Sequence, residues 1–219
     1  MRLHNSSVKQ WRGSDRALLE SAGRSVRSAL DRQVLARAAV RQARQDPLTS
    51  LLNRRAFDED VRRWHDENVG FTLSMIDLDG FKGVNDSQGH LQGDVVLKIF
   101  GSTLSAALDE QARLYRFGGD EFVLLTLSGD DHTHPETWDT EAIFEVIDLA
   151  VLAARQVATL GGASVGMAHS HEASGEALLE LADARMYTVK QRRQALRRTA
   201  LIPSGSASAE VPGGVRKSV

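Results

Sequence analysis

Two short segments of this 219-residue chain place carboxylates where they could do chemistry. The first is Asp77-Leu78-Asp79, which follows the apolar run Phe71-Thr-Leu-Ser-Met-Ile76. Acids at alternate positions of a strand point the same way, and here they project at the sheet's edge, where a pocket forms. Burying an unpaired carboxylate is costly, so such groups are exposed, paired or bound to a cation. Mg²⁺ is commonly held by one or two carboxylates plus substrate phosphate oxygens, which this pair could supply. A helix cap or turn is the plainer reading of the same residues. The second segment is Gly118-Gly119-Asp120-Glu121. Two glycines suit a hairpin turn with positive φ, but turn chemistry does not call for two acids directly after them. A turn bare of side chains also lets a nucleotide approach the backbone closely.

The elements that must position these acids are read from periodicity. Between Ser14 and Arg44 there is no proline, and Leu19, Ala22, Val26, Leu30, Val34 and Ala38 recur at steps of three or four. That spacing marks one face of a helix, with Ser14 as its N-cap. Thirty-odd residues make a rod of roughly 45 Å, and its one-sided stripe needs a partner. A second copy in a parallel coiled coil would serve, as would an upstream domain of which residues 2–11 would be the last strand. Asp46-Pro47 ends the helix, because the residue before proline is pushed out of the α region. Patterning then predicts helices over 55–67, 91–108, 140–159 and 175–198. Strands are predicted over 71–76, 114–117, 121–127 and 163–168, with a hairpin at the double glycine. This mixture predicts an α+β fold, a sheet covered by helices. Residues 201–219, with several Ser and Gly and two of the four prolines, read as a disordered tail.

Composition bounds the function classes. With 42% hydrophobic and 26% charged residues, the chain suits one soluble domain of about 150 residues plus appendages. The absence of cysteine excludes disulfides and thiolate metal sites and fits a reducing, cytoplasmic setting. The richest apolar run, 142–154, is broken by Glu145 and Asp148, so no membrane span is expected, nor is a secretory leader. The net charge of −2 is unevenly spread: residues 1–45 hold ten basic against three acidic side chains. A basic segment can touch nucleic acid or an anionic membrane, or can be a solvated helix face. The acidic remainder disfavours a nucleic-acid-binding domain and suits a metal-dependent enzyme.

Four motifs then stand in a recognisable order: Asp46-Pro-Leu-Thr-Ser-Leu-Leu-Asn-Arg-Arg55, the run from Asp77-Leu-Asp-Gly-Phe-Lys to Gly-His-Leu-Gln-Gly-Asp94, Arg116-Phe-Gly-Gly-Asp-Glu-Phe122, and Ala182-Asp-Ala-Arg-Met-Tyr-Thr-Val-Lys190. Over roughly 46–198 the chain resembles the GGDEF diguanylate cyclases. The resemblance implies a palm-like nucleotidyl-cyclase fold with a mostly antiparallel sheet. It divides the chain into a signalling and dimerisation helix over 1–45, a cyclase domain over 46–200 and the tail over 201–219. Residues 1–45 also resemble the closing strand and helix of a GAF sensory domain.

By this resemblance Asp77 and Asp120 are metal-binding carboxylates, with the Leu78 carbonyl as a backbone ligand and Glu121 supporting the same site. The metal would be Mg²⁺ or Mn²⁺. Asp120 also holds the position of the base for the attacking ribose hydroxyl. Gly118 and Gly119 let the nucleotide approach. Asn85 and Asp94 resemble guanine readers, since an amide and a carboxylate together match the guanine edge and reject adenine. His90 lies between them in sequence and lines the same pocket or serves the fold. Lys82 and Lys190 resemble phosphate contacts. Asp183, Tyr187 and Lys190 share a helix face opposite Leu178, Leu181 and Met186, and packing with hydrogen bonding is the expected role of Asp183 and Tyr187. The implied reaction joins two GTP into cyclic di-GMP with release of two pyrophosphates. One domain holds one GTP, so the implied enzyme is a homodimer.

The chain departs from the family in two places. The slots of an inhibitory Arg-x-x-Asp, five residues before the double glycine, hold Asp109 and Ala112. A basic residue expected four positions after Lys190 is Gln194, with Arg192 and Arg193 beside it. The rival reading is a catalytically inactive GTP-binding or interaction module. Adenylate cyclase or polymerase chemistry is disfavoured by Asn85 and Asp94. A P-loop is absent. The pairs His132/His134 and His169/His171 have same-face spacing but lack nearby acidic or thiol partners for a metal.

Overall fold

The computed structural model describes residues 13–127 and 138–200. The elements are α1 (Gly13–Ala43), β1 (Leu52–Asn53), α2 (Arg54–Asp66), β2 (Phe71–Asp79), α3 (Phe81–Gln88), α4 (His90–Ala106), β3 (Ala112–Gly118), β4 (Glu121–Leu127), α5 (Thr140–Arg155), β5 (Gly162–His169) and α6 (Glu176–Ala200). The five strands form one sheet in the order β1-β3-β4-β2-β5, antiparallel except for the β1–β3 pair. The fold is α+β, as the sequence patterning predicts.

β2 is buried along its whole length because both faces of the sheet are covered. Its alternate residues feed two cores. Ile76 and Leu78 join Phe122, Leu124 and Val165 beneath α3, α4 and α5. Leu73 and Met75 join Tyr115, Val123 and Ala168 beneath α2 and α6. By period two, Asp77 and Asp79 continue the second set, so both carboxylates face α6. α1 projects without such cover: Val26, Leu30 and Val34 of the expected stripe are 59%, 56% and 62% exposed.

Three differences from the sequence expectation bear on the site. β2 is an interior strand, so its two acids sit at the end of a central strand rather than at the sheet's edge. α3, absent from the expected elements, is set off by Gly80 and Gly89, both at positive φ, which turn the chain at its two ends. Gly83 inside it lowers helix propensity, and burial of Phe81 and Val84 supplies what propensity lacks. The hairpin turn falls on Gly119 and Asp120, because Gly118 still pairs with Glu121 after a bulge at Phe117. The expected strand over 2–11, the tail over 201–219 and the His132/His134 pair lie outside the described residues.

Candidate active site

The site forms where the end of β2, the β3–β4 turn and α6 meet. Asp77 is 4% exposed and lies opposite Glu121 on β4 and Ser164 on β5. The turn is bolted to the same place: the Leu78 N–H donates to the Asp120 carbonyl at 3.3 Å, while the Leu78 side chain is buried in the opposite core. Gly119 has φ of 52°, a conformation that favours glycine, and no Cβ contact would form at Gly118 or Gly119 within 4 Å. The turn therefore presents open backbone beside three acids. Arg116 Nε and Nη2 donate to the Gly119 carbonyl at 3.2 and 2.8 Å and hold the turn in place.

α6 can lie this close to the sheet because β5 carries Gly166, where a Cβ would collide with the α6 backbone at Ala182 and Met186. That approach brings Lys190 Nζ to 2.7 Å from Asp77 Oδ2. Burial opposes the Lys190 charge, but the Asp77 carboxylate outweighs it and holds the ammonium above the ordinary lysine pKa. Burial and the neighbouring Asp77 raise the Asp120 pKa, and burial with Asp77, Asp120 and Asp183 raises that of Glu121. A cavity of about 620 Å³ opens over this group, lined in part by Asp77, Glu121, Asp183, Tyr187, Lys190 and Gln194. Asp183 and Tyr187 are exposed on the cavity wall, contrary to the expectation that they pack. The helix is apolar on one side only, and among the described residues no element covers the other.

The expected base readers form a second group. Asn85 on α3 and Asp94 on α4 are half-buried, and Gly93 lets the two helices close, since a Cβ there would strike the Asn85 carboxamide oxygen. Lys82 and His90 are exposed, and their side chains make no hydrogen bond or ion pair within the described residues.

Asp79, to which the family resemblance assigns no role of its own, is 4% exposed and accepts from Ser164 Oγ at 2.7 Å and Arg193 Nη1 at 3.1 Å. Ser164 carried no signal at all in the sequence, because its proximity depends on β2–β5 register. Of the two arginines beside Gln194, Arg192 is exposed and Arg193 is turned to Asp79.

A divalent cation fits this donor set on one observation: Asp77 Oδ1 is buried and has no hydrogen-bond partner. Lys190 holds the other oxygen and stands as the countercharge. Among the described residues no three His, Cys, Asp or Glu side chains stand ready-made around one point, so substrate phosphate oxygens and movement of Asp120 and Glu121 would have to complete the coordination of a cation begun at Asp77.

The profile of the family described as diguanylate cyclase, GGDEF domain, matches residues 43–195. The chain belongs to this family. Its GGDEF domain is 33% identical over 158 residues to the diguanylate cyclase DgcN of Escherichia coli, covering 70% of this chain and 38% of DgcN. It is 39% identical over 128 residues to the cyclic di-GMP phosphodiesterase NbdA of Pseudomonas aeruginosa, covering 56% of this chain and 16% of NbdA. The chain spans less than two thirds of the curated relatives it matches. Among solved structures, the coiled coil and GGDEF domain of DgcB from Caulobacter crescentus, in complex with c-di-GMP, superposes with a TM-score of 0.66 at 22% identity, covering 80% of this chain and 95% of that one. A microbial GGDEF domain solved with cyclic di-GMP gives 0.56 at 31% identity, covering 70% and 94%. The DgcB likeness bears on the fold, which extends through the N-terminal helix.

Proposed function

We propose that the chain is an active diguanylate cyclase that condenses two GTP into cyclic di-GMP as a homodimer. The observation that carries this reading is the arrangement around Asp77. One buried oxygen has no hydrogen-bond partner, Glu121 lies opposite, Asp120 stands on a bare glycine turn, and Lys190 closes the far side.

Asp77, Asp120, Glu121 and the Leu78 carbonyl would hold Mg²⁺ or Mn²⁺, which when bound would acidify the attacking hydroxyl and offset charge on the phosphates. Asn85 and Asp94 orient guanine. With a cation on Asp77, Lys190 would be released to the triphosphate, and Gly118 and Gly119 let the phosphates reach the backbone. Asp120, whose pKa is raised by burial and by Asp77, accepts the proton of a ribose 3′-hydroxyl. The 3′-oxygen bonds to the α-phosphorus of the other GTP as the bond to the β-phosphate breaks and pyrophosphate leaves. A second transfer closes the ring. Two domains must face each other, and the uncovered stripe of α1 supplies a pairing surface that raises their effective concentration.

Incubation with GTP and Mg²⁺ followed by chromatography tests the reaction, and Asp120→Asn is expected to abolish product without unfolding the domain. A dimer that binds GTP but forms no cyclic di-GMP would favour the inactive-module reading. Removing residues before Ala39, a cut that keeps the Arg44–Asp60 ion pair, should lower activity at low protein concentration. Undiminished activity would overturn the role given to α1.

A further inference from the structure

Asp77 and Asp79 lie two residues apart on the same face of β2 and are equally buried, at 4% exposure each, yet their surroundings differ in kind. Both oxygens of Asp79 are taken. Ser164 Oγ donates to Oδ1 at 2.7 Å, and Arg193 Nη1 reaches Oδ2 at 3.1 Å, with Arg197 Nη2 at 3.7 Å. Asp77 has only Lys190 on Oδ2, and its Oδ1 is unpartnered. Ser164 sharpens the contrast. It is the residue directly opposite Asp77 across the β2–β5 ladder, but its hydroxyl bonds diagonally to Asp79.

The geometry points to Arg193 as a positioning residue that, with Ser164 and Arg197, closes Asp79 so that Asp77 alone stays open to a divalent cation. Arg193 also donates to the Ala163 carbonyl and Arg197 to the Gly161 carbonyl, which ties α6 to the start of β5. α6 thus meets β2 at two rungs, Lys190 on Asp77 and Arg193 on Asp79. The rungs are spaced about 4.5 Å along the helix and about 7 Å along the strand, so α6 cannot slide without breaking one of them. Arg193 lines a separate cleft of about 480 Å³ with Arg155 and Gly162, and is not among the residues lining the cavity over Asp77. Its guanidinium is engaged instead by Asp79 and the Ala163 carbonyl. Without Arg193, a buried carboxylate loses its nearest cation and keeps only the longer 3.7 Å approach of Arg197, so Lys190 and the Ser164 hydroxyl become groups that answer to both acids. Asp77 then loses its exclusive geometry.

The kinetic part of the test rests on the cyclase reading, and the metal-binding part does not. The full chain and its variants are titrated with Mn²⁺ in the absence of nucleotide, with free Mn²⁺ read by electron paramagnetic resonance. Steady-state cyclic di-GMP formation is then measured. Arg193→Gln is expected to weaken Mn²⁺ binding and lower kcat by about 10-fold each, the scale of changes in residues that orient metal ligands, with the KM for GTP changed less than about 2-fold. Arg193→Lys should recover most of both losses. Ser164→Ala, which removes only the hydroxyl and spares the fold, should weaken Mn²⁺ binding by about 5-fold. Unchanged Mn²⁺ affinity in Arg193→Gln and Ser164→Ala would overturn the inference. So would a raised KM at unchanged kcat in Arg193→Gln, the signature of a phosphate ligand. A wild-type chain that binds Mn²⁺ but makes no product sinks the cyclase reading, and the Mn²⁺ comparison still decides the role of Arg193. A wild-type chain that binds no Mn²⁺ without nucleotide overturns the role given to Arg193, and product formation by the same chain still decides the cyclase reading.

Discussion

Arg116 joins the linker that follows α1 to the glycine turn: its Nη1 lies 2.9 Å from Asp46 Oδ1 while Nε and Nη2 hold the Gly119 carbonyl. Asp46 is itself fixed by Thr49, whose N–H and hydroxyl both donate to Oδ1. The pair is largely shielded, with side chains 10% and 17% exposed. Arg116→Ala should destabilise the domain by roughly 1–3 kcal/mol and release the turn, lowering cyclase activity by about 10-fold. Urea denaturation at unchanged m-value checks the first figure, and the rate of cyclic di-GMP formation checks the second.

The acids of the turn should cost stability for the sake of chemistry. Asp120 and Glu121 have pKa values raised by burial and by Asp77, so the folded state binds their protons more tightly than the unfolded chain does. Their charge therefore weakens the fold above the raised pKa, and the penalty disappears as pH falls through it. Asp120→Asn should raise the melting temperature at pH 7.5 by about 2–4 °C, a gain that shrinks toward pH 4. An equal gain at both pH values would refute the electrostatic cause.

Asp60 behaves in the opposite sense. It is fully buried and accepts from Arg44, Arg63, Arg113 and the Tyr115 hydroxyl. Burial opposes its ionisation, but hydrogen bonds from Arg44, Tyr115 and Arg113 prevail and hold its pKa below the ordinary carboxylate value. Its stabilising effect is complete above the unfolded carboxylate pKa and is lost as pH falls through the depressed folded value. Asp60→Asn should cost about 1–3 kcal/mol at pH 7, because three partly exposed arginines and the buried Tyr115 hydroxyl lose their charged acceptor, and much less near pH 2. Equilibrium unfolding at the two pH values measures the difference.

The absence of an Arg-x-x-Asp brake has a structural counterpart. Asp109 accepts from the Gln111 N–H and from Trp138 Nε1, so the slot where an arginine would stand is an acid already engaged at the α5 approach. Added cyclic di-GMP should leave the initial rate within about 2-fold of its uninhibited value, since an acid there repels a phosphate instead of pairing with it. A steep fall in rate at micromolar product would show a different inhibitory site.

The sequence by itself determined the chemistry on offer and its local frame. Asp77 and Asp79 at the end of an apolar strand, the two glycines before Asp120 and Glu121, and the α6 face carrying Asp183, Tyr187 and Lys190 were all legible. Each depends only on spacing along the chain, through periods of two and 3.6 residues. α3 was not legible, because tertiary burial of Phe81 and Val84 overrides the poor propensity of its glycine. The turn position was misplaced by one residue, because the bulge at Phe117 is set by β3–β4 pairing. Only the tertiary structure decided which carboxylate stays open. Lys190 reaches Asp77 across 113 residues of sequence, and Arg193 reaches Asp79 across 114. Ser164 chooses Asp79 over its own ladder partner. Those choices follow from strand register and the seating of α6 on Gly166, which no spacing within one segment can express.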